Sequence, residues 1–218
     1  RSRSPLHDGV VSKVMENPGF TSFVSPKIGH PLRNHEIDPL YDIVGRTGVH
    51  ERRIANPHET INSMCMLAAK TLLELLHLQS KDIGGLLLAS CTTKDVQAEA
   101  ESCASAFNIE GTAVYGVNMA CSGFPAAVQR ALQIETKKHV LVLTAELLSR
   151  SVNWSDQSTR IIFGDGVAAT TIVQDGPHPI LYANAEEVED PRELIKLQHM
   201  QATDEKGDSP IRDCIVMN

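Results

Sequence analysis

Apolar and polar positions along this chain switch between two periods. Ile61, Met64, Cys65, Leu67, Ala68, Leu72, Leu75 and Leu76 recur at helical spacing and predict a helix over 58–78. Pro57 is placed for its first turn, with Glu59 close behind to favour the helix dipole. The unbroken apolar run in "DIGGLLLASCTT" predicts a buried strand near 84–91. A second helix is predicted over 97–108, a strand in "TAVYGVN", a third helix over 122–137, and another buried strand in "HVLVLTAEL". "TRIIFGDGVAATTIV" reads as strand, Gly-Asp-Gly turn, strand. A short strand is placed around Thr21–Val24, and the tail after 180 holds strand-like "PILYANA" and ends in "DCIVMN". This alternation of helix and buried strand predicts an α/β fold with a largely parallel, covered sheet.

Composition narrows the class. With 218 residues, 42% hydrophobic and 22% charged, the chain can bury an ordinary core. A net charge of −7, with basic residues dispersed, argues against a nucleic-acid partner. No apolar run reaches the ~18–20 residues of a membrane span. The opening "RSRSPLHDG" lacks the apolar stretch of a signal peptide. The five cysteines (Cys65, Cys91, Cys103, Cys121 and Cys214) are odd in number and widely spaced, which predicts a reduced, cytoplasmic protein. No C-x-x-C pair and no H-E-x-x-H run occurs, so no metal site is expected.

The candidate chemistry sits in "VNMACSGFPAAVQRAL", residues 117–132, where a strand gives way to a helix at Cys121. A thiol attacks as its thiolate, and the N–H groups and dipole at a helix start favour that anion. Ser122 and Gly123 permit a tight strand-to-helix turn, and the N–H of Cys121 is placed to donate to an oxyanion. The arrangement follows the logic of a nucleophile elbow with Cys in place of Ser. On spacing alone two readings stand side by side: an acylated nucleophile, or a small buried hydrophobe. Asp165, between Gly164 and Gly166, reads as a turn residue capping local backbone N–H groups.

Four segments carry a family resemblance. "GRTGVHERRIA" (45–55), "NMACSGF" (118–124), "AELLSR" (145–150) and "IIFGDGVAAT" (161–170), in this order and spacing, resemble the N-terminal half of β-ketoacyl-acyl-carrier-protein synthase III, in the thiolase superfamily. The resemblance is good over roughly 40–175 and loose at the ends. It implies a thiolase fold, in which two similar halves pack as a five-layered α-β-α-β-α core, and a homodimer. Residues 1–40 are then a variable N-terminal segment, and 41–218 the half-domain that carries the nucleophile. It also implies an acyl-cysteine on Cys121 and an acyl pocket lined by Phe163 and Leu148, with Phe163 equally readable as plain core. The family's His and Asn belong to the second half. His77, His139, His178 and His199 stand in the wrong context for the base, so a complementary C-terminal half is expected to supply both groups.

Family members that take acyl-CoA grip it with an Arg in "RTG", here Arg46, with a Trp before it and with a second Arg before the FGDG strand. Asp42 stands at the Trp position, beside Tyr41, and Gln157 at the second Arg position. Arg46 is therefore a candidate cofactor-binding residue, with a structural salt bridge as its other reading. The two replacements favour an acyl-carrier-protein thioester over acyl-CoA as donor, and polyketide or other specialised fatty-acyl metabolism over housekeeping fatty-acid initiation. No permanently bound cofactor is expected. The function implied is an acyltransferase that performs decarboxylative Claisen condensation with a malonyl-type thioester. Ester- or amide-forming acyl transfer, and a non-catalytic partner subunit of a condensing heterodimer, are the alternatives.

Overall fold

A computed structural model describes residue 15 and residues 17–109, 112–183, 195–201, 203–204, 206–208 and 211–217. In chain order the elements are β1 (Pro18–Val24), β2 (His30–Arg33), the short helices α1 (Asn34–Ile37) and α2 (Ile43–Thr47), β3 (Glu51–Ile54), α3 (Ile61–Leu75), β4 (Ile83–Ala89) and α4 (Val96–Ala106). They continue with β5 (Ala113–Val117), α5 (Gly123–Ala131), β6 (His139–Leu147), α6 (Gln157–Arg160), β7 (Asp165–Gln174), β8 (His178–Pro179), β9 (Ile195–Gln201) and β10 (Ile211–Met217).

The main sheet has six strands in the order β5-β4-β6-β7-β1-β8. Strand β4 runs parallel to both β5 and β6, whereas β7 and β1 are antiparallel to their neighbours. The expectation of a largely parallel sheet therefore holds for one half of it. Leu147 at the end of β6 pairs with Asp165 at the start of β7, so the link between them leaves and re-enters the sheet at the same end of the strands. Without a crossover helix, the returning strand has to run antiparallel. Two smaller ribbons, β2–β3 and β9–β10, lie outside this sheet.

The pleat sorts the apolar runs onto two faces. Leu86, Leu88, Leu141 and Leu143 pack with α3 and α4 residues such as Met64, Leu72 and Cys103. Leu87, Ala89, Val140 and Val142 pack with Ala127, Val128 and Ala131 of α5. The central strands are thus buried on both sides, which is why they read as continuous apolar runs.

Several boundaries differ from the sequence reading. Helix α3 starts at Ile61 because Thr60 is its N-cap: the Thr60 hydroxyl accepts from Ser63 N–H at 3.1 Å, and Ser63 Oγ accepts from Thr60 N–H at 2.8 Å. Pro57 falls in the turn before that cap rather than in the first helical turn. Helix α5 stops at Ala131, where Gln133 and Ile134 N–H bond three residues back and turn Ile134 into the core. The first half of "TRIIFGDGVAATTIV" is no strand: α6, capped by Asp156, runs to Arg160, and the strand begins at Asp165. In "PILYANA", Ile180–Ala183 lie outside any strand, while Asn184, Ala185, the first fourteen residues and Asn218 lie outside the described residues.

Arg52 on β3 is buried among neutral acceptors, donating to Asn34 Oδ1 at 2.8 Å and to the carbonyl of Ile161. Burial holds its pKa below the usual arginine value. Phe20 and Phe23 of β1 meet Phe124 of α5, with ring centroids 5.1–6.3 Å apart. Two apolar cavities flank this cluster on the α5 side of the sheet. One, of about 200 Å³, is lined by Phe23, Phe124, Val142 and Thr144. The other, of about 300 Å³, is lined by Phe20, Phe124, Val128 and Tyr182.

Candidate active site

The three parallel strands deliver their C-terminal ends to one place, which is where open α/β sheets commonly build their sites. Ala89 ends β4 opposite Val117 of β5, and Ser90 N–H donates to Val117 O at 3.1 Å. Past β5 the chain makes one 3₁₀ turn, Ala120–Ser122, before α5 begins. Cys121 is the middle residue of that turn and is exposed. Its place is therefore two residues ahead of the helix rather than in the first helical turn, and it is not the buried hydrophobe of the alternative reading. Ala120 is held at φ +43°, a left-handed conformation that a residue with a Cβ adopts at a cost. The turn is closed by Ser122 N–H donating to Met119 O at 2.9 Å. The N-cap Ser122 makes no side-chain bond to the α5 N–H groups.

The wall beside this turn is organised by Glu146, near the end of β6. Its carboxylate accepts from Cys91 N–H at 2.9 Å, Thr92 Oγ1–H at 2.6 Å and Ser90 Oγ–H at 3.4 Å. Thr92 Oγ1 in turn accepts from Leu147 N–H at 2.9 Å. One carboxylate thus pins the whole 90–92 loop. Burial, the neighbouring Glu146 carboxylate and the Cys121 sulfur push the Cys91 thiol up to about 12. The site holds two thiols, and this one stays protonated at physiological pH. In wild-type protein at pH 8, iodoacetamide is accordingly expected to label Cys121 and spare Cys91. Glu146→Gln should raise Cys91 labelling at least several-fold, read by peptide mass mapping; equal labelling of Cys91 in both proteins would refute the role given to Glu146.

Asp165 has a larger task than capping a local turn. It is buried, and its carboxylate accepts from Ala55 N–H at 2.7 Å, Ser149 N–H at 2.8 Å and Ser149 Oγ–H at 2.7 Å. It locks the end of β3 and the segment after β6 to the start of β7. Leu148 and Phe163 flank this node, both half-buried, and neither lines either of the two cavities described above. Arg46 is exposed, with its guanidinium 5.0 Å from the Tyr41 ring centroid, and among the described residues it forms no ion pair. Asp42 caps α2 by accepting from Gly45 N–H at 2.9 Å. Gln157 donates to Asp38 Oδ2 at 3.2 Å, and Arg160 forms an ion pair with the same oxygen. Asp42 and Gln157 therefore have structural partners of their own.

Sequence reasoning passed over Cys91, Thr92 and Glu146. The available signal was positional: Cys91 and Thr92 lie just past the carboxyl end of β4, next to the strand that delivers Cys121, and Glu146 lies near the carboxyl end of β6, on the other side of β4. Among the described residues, no group of three or more His, Cys, Asp or Glu side chains is placed to hold a metal ion. No described helix is long and apolar enough to cross a membrane.

Residues 115–186, which contain Cys121 and the FGDG turn, match the family model of 3-oxoacyl-[acyl-carrier-protein (ACP)] synthase III. The β-ketoacyl-[acyl-carrier-protein] synthase III of Actinobacillus succinogenes is 32% identical over 170 residues, 76% of this chain and 54% of the relative. That of Thiobacillus denitrificans is 36% identical over 152 residues, 65% of this chain and 47% of the relative. The chain is β-ketoacyl-acyl-carrier-protein synthase III-like. Its thiolase-like α/β fold corresponds to the N-terminal half of such proteins. The structure of the priming β-ketosynthase from the R1128 polyketide pathway superposes with a TM-score of 0.73 at 21% identity, covering 97% of this chain and 66% of that one. The synthase III of Aquifex aeolicus superposes with a TM-score of 0.58 at 26% identity, covering 91% and 64%. This synthase III-like chain spans about half the length of the curated relatives it matches.

Proposed function

We propose that this chain carries the nucleophile of an acyl-transferring condensing enzyme. Cys121 as thiolate attacks the carbonyl carbon of an acyl thioester, the C–S bond to the carrier breaks, and the carrier thiol leaves after taking a proton from solvent. The acyl-cysteine then meets a malonyl-type thioester. Loss of CO2 leaves an enolate whose carbon displaces Cys121 and forms a β-ketoacyl thioester. A His and an Asn that stabilise this enolate are assigned to a complementary C-terminal half. The apolar surface around Phe23, 57% exposed, and Tyr182, 81% exposed, suits that half as its cover.

The observation that carries the reading is the exposed Cys121 on a strained turn at the shared end of the parallel strands. The relatives' names support an acyl-carrier-protein-dependent reaction of the fatty-acid type. A polyketide or other specialised role rested on Asp42 and Gln157, and both side chains have structural partners that do not speak of the donor. Arg46, beside Tyr41 on the surface, is proposed to meet the phosphate-bearing carrier of the acyl group, CoA or carrier protein. Phe163 and Leu148 are proposed to line the acyl pocket once the second half is in place. Five cysteines, none of them in a disulfide, suit a reducing, cytoplasmic setting. We assign homodimer formation to the free edge of β5, an end strand of the main sheet. The test is incubation of the full-length protein with an acyl thioester, then with malonyl-carrier protein. An acyl mass increment on the Cys121 peptide followed by β-ketoacyl product is expected. An unmodified Cys121 peptide in protein that still releases product would exclude the mechanism.

A further inference from the structure

Two thiols share the site, and the proposed condensation uses one of them. Cys121 is exposed and Cys91 half-buried, whereas Cys65, Cys103 and Cys214 are fully buried. The backbone brings the pair together from two sides. Ala89 and Val117 pair at the ends of β4 and β5, and Cys91 follows Ala89 by two positions. Opposite, the start of α5 rests on the end of β4: a Cβ on Gly123 would lie 3.3 Å from Ala89 Cβ. Cys121 precedes Gly123 by two positions, so its turn comes back over the strand end from which Cys91 departs. The Cys121 sulfur is close enough to act on the Cys91 thiol. The two sides differ in rigidity. Glu146 fastens the 90–92 loop through Cys91 N–H and the Ser90 and Thr92 hydroxyls, while the Ala120–Ser122 turn is exposed and is the side that can close. They also differ in charge state, because burial and the Glu146 carboxylate keep the proton on Cys91.

We propose that Cys91 is the resolving thiol for Cys121: a peroxide oxidises the nucleophile, and the pair closes into a disulfide that takes the site out of use until a thiol reopens it. The inference rests on Cys121 being the reactive sulfur assigned above. The Cys121 thiolate attacks hydrogen peroxide, the O–O bond breaks, hydroxide leaves, and Cys121 becomes a sulfenic acid. The Cys91 sulfur then displaces the sulfenic hydroxyl, which departs as water with the Cys91 proton, and the S–S bond forms. The two sulfurs together lose two electrons, and the peroxide takes them up. Two equivalents of a small thiol return both cysteines to the reduced state and are themselves joined as a disulfide. A sulfenic acid without such a neighbour is open to a second peroxide and becomes a sulfinic acid, which thiols do not reduce. Cys91 thus turns a permanent loss of the nucleophile into a reversible one.

The test treats full-length wild type and Cys91→Ser with hydrogen peroxide and then with dithiothreitol. Acyl loading is measured before treatment, disulfides by non-reducing peptide mass mapping, and recovered Cys121 thiol by iodoacetamide labelling. Peroxide-treated wild type is expected to yield one peptide pair joined through Cys91 and Cys121, short of two hydrogens, and dithiothreitol to restore most of its Cys121 labelling. In Cys91→Ser, Cys121 is expected to gain two oxygens and to recover at least about five-fold less labelling than wild type. Treated wild type in which Cys121 stays unlinked, or is joined to another cysteine, overturns the proposal without recourse to any variant. Equal recovery in the two proteins overturns it as well. A Cys91–Cys121 link in protein that took no acyl group before treatment sustains the thiol pair and overturns the acyl-nucleophile reading instead, so the two fail separately.

Discussion

Cys121→Ala is expected to abolish acyl loading and to lower condensation turnover by at least about 10³-fold, while the fold survives. A catalytic nucleophile typically accounts for three to six orders of magnitude in rate. Its replacement here should be cheap for stability, because Cys121 is exposed and lies in a turn already closed by the Ser122-to-Met119 backbone bond. The measurements are intact mass after exposure to an acyl thioester, turnover with a malonyl thioester, and a thermal melt. A variant that melts like wild type and still acquires the acyl mass would place the nucleophile elsewhere, with Cys91 the next thiol to examine. Cys121→Ser serves as a second probe, since it keeps the shape and removes the sulfur.

The largest loss of stability is expected at Asp165. Ala there strands Ala55 N–H, Ser149 N–H and the Ser149 hydroxyl in a buried setting. Each buried group left without a partner costs about 1–3 kcal/mol, so a total of about 3–5 kcal/mol is expected. For a chain of this size that corresponds to a melting temperature lower by roughly 10 °C. Asp165→Asn keeps the volume but turns an amide N–H2 towards one of the donors, so it should fall about midway. A Glu146→Gln control, at a half-buried position on the same end of the sheet, should lose less. If Asp165→Asn melts with wild type, the three-way node is not holding β3, the β6 end and β7 together.

Much of this architecture was legible because burial on both sheet faces leaves continuous apolar runs. "HVLVLTAEL" gave β6 with both ends correct, and the β4 run was placed to within two residues. Strand direction was not legible, since β7 carries the same apolar signal whichever way it runs. The chain's return beside Leu147 depends on where the 148–164 link, with α6 in it, brings Asp165, not on composition. Cys121 stood out because a thiol where a strand gives way to a helix is placed for the helix dipole and backbone N–H groups, and because the motif around it carries the family resemblance. Glu146 did not stand out, because a single Glu inside an apolar strand looks the same whether it faces water or gathers three donors. Asp165 was underread for a related reason: its partners at Ala55 and Ser149 are far away in sequence, and turn chemistry sees only neighbours.

The position of β1 has a consequence for how the molecule is made. Thr21 on β1 and its partner Thr171 on β7 are separated by 150 positions. A strand synthesised so far ahead of its partner must therefore wait, unpaired, until nearly all the rest of the main sheet has left the ribosome. Such distant pairings are slow to form and leave an apolar segment sticky in the meantime. Phe20 and Phe23 arrive with that strand and complete the aromatic support under Phe124, three residues past the sulfur. The reactive turn thus acquires its floor only once β7 has been made and β1 has docked against it, and a nascent chain has little chance of being loaded before then.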